Sequence, residues 1–153
     1  MRGARASSGL SLLVSSELCQ YPDNGAVLST ADELIRSGAG KSLYKALLKR
    51  FYQAGTSSQE AIAKLLALLE PMMEAQPGVS AYLMARLYAR AHRQRDTVTC
   101  HAIELWMNGL ATEEAADALA VLASEPVRPA VKQRCAQWAD GIRKRARLID
   151  ARG

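Results

Sequence analysis

Among its 153 residues the chain has only three cysteines, two histidines and one phenylalanine, and aromatic residues make up 5% of it. Cys19, Cys100 and Cys135 are far apart and odd in number, which excludes a disulfide framework and a paired zinc-ligand spacing and points to a reducing compartment. No apolar run approaches the roughly 20 residues that cross a bilayer, because Glu70, Arg86 and Glu104 interrupt the best candidates. A soluble protein, or a soluble part of an assembly, follows from that pattern.

Catalytic groups are equally sparse. His92 has Asp96 four residues on and His101 has Glu104 three residues on, so each pair offers two ligands where a metal needs three or four. Cys100 and His101 are adjacent, and on a helix adjacent side chains diverge by about 100 degrees. Glu33, Glu60, Glu113 and Glu114 sit at predicted helix starts, where they complement the helix dipole. Residues 37–42 read Ser-Gly-Ala-Gly-Lys-Ser, like the tail of a phosphate-binding loop, but Ile35 stands where that motif needs glycine and no strand pattern precedes it. An interhelix joint is expected there. No enzyme, metal or cofactor is expected of this chain.

What is present is leucine and alanine at helical spacing, with glycine and proline between the periodic stretches. The pattern predicts an all-α protein of about six to seven helices, antiparallel hairpins stacked as a short α-solenoid or an irregular bundle. A segment 1–29 precedes a single repeat-like domain 30–153. Residues 1–16 hold Arg2, Arg5, five serines, the apolar group Leu10, Leu12, Leu13 and Val14, and no acid before Glu17, a composition shared by organelle transit peptides and by an ordinary first helix.

The turn formers Tyr21 to Gly25 break the chain, and Thr30 with Glu33 reads as a capping box for a short helix ended by Ser37-Gly38. A helix over 42–54 buries Leu43, Leu47, Leu48 and Phe51. Ser57 caps the next, which Pro71 should kink or end. A helix over 80–93 buries Leu83, Met84, Leu87 and Ala91; Asp96 caps one ending at Asn108-Gly109, and Thr112 caps another running to Leu122. The last, over 130–149, places Val131, Cys135, Trp138, Ile142 and Ile149 on one stripe.

Two observations suggest repetition. The hexapeptide Leu47-Leu48-Lys49-Arg50-Phe51-Tyr52 is echoed 36 positions later by Leu83-Met84-Ala85-Arg86-Leu87-Tyr88, a suitable period for helix pairs. Ser58 to Leu68 and Thr112 to Leu122 share a hydroxyl, acid, then Ala/Ile/Leu pattern. These segments resemble the second-helix signatures of octotricopeptide and heptatricopeptide repeats, relatives of pentatricopeptide repeats. The resemblance implies a helical-repeat fold, RNA binding or ribonucleoprotein scaffolding, and a mitochondrial or chloroplast setting.

Lys and Arg exceed Asp and Glu by 20 to 15, for a pI near 9.3. That surplus favours polyanionic partners. It falls in rows: Lys41, Lys45 and Lys49 at spacing four; Arg86, Arg90 and Arg93 with Tyr82 one turn earlier; and the cluster Arg143, Lys144, Arg145 and Arg147. These eleven residues are the expected RNA-contacting set, with the cations on phosphates and Tyr82 stacking on an unpaired base. The leading expectation is a non-enzymatic accessory subunit of an organellar ribonucleoprotein such as a mitochondrial ribosome, contacting its RNA and proteins in the mitochondrial matrix. The alternative is a protein–protein scaffold or accessory subunit of a mitochondrial membrane complex, anchored by Trp106, Trp138 and the methionines; a cytoplasmic location is the other setting kept open.

Overall fold

The computed structural model describes residues 2–52 and 55–152, with side chains from Gly9 onward. Among them all regular structure is helical: α1 (Arg2–Gln20), α2 (Gly25–Leu34), α3 (Gly40–Phe51), α4 (Ser58–Ala75), α5 (Pro77–Arg93), α6 (Thr97–Met107), α7 (Glu113–Ala123) and α8 (Pro129–Arg152). The segment Ile35–Ala39 joins α2 to α3 across a kink at Gly38, whose backbone is not helical. Counting that joined run as one kinked helix gives seven, and the all-α expectation holds.

Capping sets the boundaries. The Ser57 hydroxyl accepts from Glu60 N–H, the Asp96 carboxylate from Thr99 N–H, and the Thr112 hydroxyl from Ala115 N–H, so three predicted starts are correct. The capping box at Thr30 is not. Asn24 starts α2 instead, its side-chain oxygen accepting from Ala26 N–H at 3.0 Å and Val27 N–H at 3.2 Å. Thr30 then lies inside the helix and donates back to the Ala26 carbonyl at 3.0 Å.

Ser37-Gly38 does end that helix, as the sequence predicts, because the backbone leaves helical geometry at Gly38. Gly38 takes φ 93°, a conformation that glycine adopts without a Cβ clash, and the chain kinks there before starting again as α3. Pro71 stays inside α4, which runs on to Ala75. It sits at an exposed position, and Ala67, whose carbonyl it deprives of a helical donor, is exposed too. The helix predicted over 42–54 ends at Phe51, since Tyr52 is already extended; Ala54 lies outside the described residues.

The chain forms two compact units, Met1–Val79 and Ser80–Gly153. The anticipated 29/30 boundary falls inside α2 of the first. In that unit α1 packs on α2 and α3, and α3 on α4, around Leu18, Leu28, Leu43, Leu47, Leu65 and Leu69. In the second unit α7 and α8 form an antiparallel hairpin over Leu119, Leu122, Val131, Cys135 and Ile142. Ile149, predicted to be buried, is exposed. Arg143 already meets Glu113 at the start of α7, so the last turns of α8 run past the end of their partner.

Candidate functional site

Helix α3 presents the lysine row as expected. Burial of Leu43, Tyr44, Leu47 and Leu48 fixes the helix rotation, which turns Lys41, Lys45 and Lys49 outward. Among the described residues none of the three has an ion-pair partner. The neighbouring Arg50 is spent differently: its Nε donates to Ser15 Oγ at 2.8 Å and its Nη2 to the Leu12 carbonyl at 3.1 Å, tying α3 to α1.

In the second unit the predicted cations are mostly occupied within the protein. Tyr82 is fully buried and cannot stack on a base. Its hydroxyl donates to the Glu125 carboxylate at 2.7 Å and accepts from Arg86 Nε at 3.1 Å, while Arg86 Nη2 pairs with the same carboxylate. Arg86 is itself buried, so it leaves the expected RNA-contacting set along with Tyr82. Burial pushes the Tyr82 phenol well above its ordinary range.

The α8 cluster is similarly engaged. Arg143 pairs with Asp117 at 3.0 Å and Glu113 at 3.5 Å, and Lys144 with Asp140 at 3.0 Å. Arg145 donates from Nε to the Leu110 carbonyl at 2.7 Å and from Nη2 to the Met107 carbonyl at 3.0 Å, closing the end of α6. Arg90 is half-buried and has an interaction partner, whereas Arg93 and Arg147 are exposed. The lysine row of the first unit thus stays on the surface, as do Arg93 and Arg147 in the second.

A feature that composition did not orient lies on α1. Ser11 and Ser15 are 1% and 0% exposed, whereas Leu10, Leu12 and Leu13 are 41%, 52% and 59% exposed. The helix turns its serines inward because α3 packs closely on it through small side chains and Arg50 claims the Ser15 hydroxyl. Among the described residues the Ser11 hydroxyl is buried without a partner. Leu10, Leu13 and Val14 line one side of a shallow groove of about 260 Å³, with Ala26 and Val27 of α2 on the other side and Glu17 among its lining residues.

A second polar network, partly open to solvent, links α5, α6 and α8. Glu104 pairs with Arg134, which lies 5.8 Å from the Trp138 ring centre, and Trp138 meets Tyr88 edge-on at 4.8 Å. Trp138 is thus core, whereas Trp106 is half-buried. No three of the described His, Cys, Asp and Glu side chains converge as metal ligands. No described helix is long and apolar enough to cross a membrane.

Comparison with protein-family models, curated proteins and solved structures finds no match. The likeness to helical repeats rests on the sequence pattern alone.

Proposed function

We propose that this chain is a non-enzymatic helical accessory subunit, held in a larger assembly by protein contact through the outward leucines of α1. The observation that carries this reading is the inverted face of that helix. Exposing three neighbouring leucines while burying two serines is unfavourable for a free surface, and covering the leucines would contribute about 25 cal/mol per Å² of apolar area removed from water. The groove between α1 and α2 suits a partner helix that inserts apolar side chains at spacing three or four and sets a Lys or Arg opposite Glu17. The basic, serine-rich composition of residues 1–16, taken as a targeting segment that is retained as α1, supports placing this assembly in an organelle such as the mitochondrion.

A second reading, contact with RNA phosphates, is favoured by the lysine row on α3. Three exposed cations on one helix line give sequence-independent affinity that falls with salt. The two readings separate in one experiment: association of the full chain with its native assembly, measured with and without nuclease. Leu10→Ser with Leu13→Ser abolishes a protein contact and leaves the lysines intact. Lys41→Gln, Lys45→Gln and Lys49→Gln together abolish an RNA contact. If the leucine variant associates like the unaltered chain, the protein-docking reading is wrong.

A further inference from the structure

The second unit contains a cleft of about 600 Å³ whose lining includes Tyr88, His92, Arg95, Cys100, His101 and Glu104. That volume lies within the range of small-ligand sites, roughly 300–1,000 Å³. Its lining acid, Glu104, is already engaged, as is Asp96 nearby. Glu104 pairs with Arg134 and accepts from the Tyr88 hydroxyl at 3.4 Å. Asp96, next to Arg95, accepts from Thr99 N–H at 3.1 Å and Thr99 Oγ1 at 2.6 Å.

The donors are not satisfied. Among the described residues His92 Nδ1 is buried with no hydrogen-bond partner, and neither the Arg95 guanidinium nor the imidazole of the exposed His101 has one. Arg95 also occupies an unusual backbone position. Asp96 N–H bonds the Ala91 carbonyl at 2.9 Å and Arg95 N–H the His92 carbonyl at 3.3 Å, the double bond of a Schellman C-cap. The residue at that corner has φ 57°, where glycine is the unstrained choice. The chain instead places an unpaired guanidinium there, beside the cleft.

We infer that this cleft binds a small organic anion, with an apolar ring-sized body against Tyr88 and Cys100 and a carboxylate or phosphate held by Arg95 and His92. The one lining acid, Glu104, is paired with Arg134, while the lining guanidinium of Arg95 has no acid partner among the described residues and stands near two imidazoles, which favours a negatively charged ligand. The site goes beyond the docking role proposed above and uses none of its residues.

The test is NMR titration of the full chain with benzoate and with phenyl phosphate at matched ionic strength, following the imidazole signals of His92 and His101. Saturable shifts of the His92 signals by either probe are expected, and the stronger probe identifies the head group. In Arg95→Gly binding weakens about tenfold or more while the melting temperature rises, because the cation is lost and the backbone strain relieved. Arg95→Gln, which keeps a side chain at that corner, weakens binding by a similar factor. Millimolar probe that leaves His92 unmoved overturns the inference, as does binding by both Arg95 variants as tight as that of the unaltered chain.

Discussion

Tyr82 and Arg86, one helical turn apart on α5, meet at a single carboxylate, that of Glu125 in the turn between α7 and α8. The tyrosine hydroxyl accepts from the arginine and donates to the acid, so all three polar groups are satisfied inside the second unit. Their spacing read from sequence as an outward row; the fold uses it as an inward clasp that holds the α7–α8 turn against α5.

Removing one member of that clasp leaves a buried charge unpaired. Glu125→Ala is expected to destabilise the protein by about 3–5 kcal/mol, the usual cost of breaking a buried ion pair from one side. Arg86→Met together with Glu125→Leu removes both charges and is expected to cost much less than Glu125→Ala alone. Urea unfolding of the three proteins checks this, and equal losses would show that the clasp contributes nothing specific.

Cys135 provides a pH dependence with a definite sign. Burial pushes its thiol from 9.0 up to about 11, so the unfolded chain releases this proton at a lower pH than the folded one. The folded state then holds more protons between pH 9 and about 11, and stability falls as pH rises through that window, by roughly 2–3 kcal/mol for two pH units. Tyr82, raised in the same direction by burial, adds to the loss at higher pH. Cys135→Ala, compared with the parent chain in denaturant titrations at pH 8 and pH 10.5, should show a shallower decline.

The same burial orders thiol reactivity. Cys19 is exposed, Cys100 intermediate and Cys135 buried. Brief alkylation of the folded protein followed by peptide mass spectrometry should label Cys19 first, and Cys135 only after denaturant is added. Labelling of Cys135 in native buffer would contradict the packing of α8.

Gly38→Ala is expected to cost about 1 kcal/mol, although no atom lies within 4 Å of a Cβ built there. The penalty is conformational, since φ 93° is rarely adopted by a side-chain-bearing residue. Gly25→Ala, equally uncrowded but without positive φ, serves as the control and should be close to neutral. Thermal melts of both variants decide it.

Much of the fold was legible because helix caps are local. Ser57, Asp96 and Thr112 announce their helices within four residues of sequence, and the 3.6-residue spacing of leucines located most of the core. Thr30 misled because Asn24, a better cap, lay six residues earlier in a stretch dense with turn formers. The site was harder to read for a different reason. Whether an arginine row faces water depends on an acid such as Glu125, 39 residues from Arg86, and spacing along one helix carries no record of it. The direction of α1 left a fainter trace. Ser11, Val14, Ser15 and Leu18 follow the i, i+3, i+4, i+7 pattern of a buried stripe, and a reading that weights hydrophobicity over spacing passes over its two serines.

The most direct test of the docking account is co-purification of the tagged full chain with its native assembly after nuclease treatment, comparing the parent with the Leu10→Ser, Leu13→Ser variant. Circular dichroism of the two proteins should coincide, since both leucines are exposed. The account predicts nuclease-resistant association of the parent that the variant loses. Association that the variant retains in full would contradict it, and association that disappears with nuclease would contradict it and return the interface to the lysine row of α3.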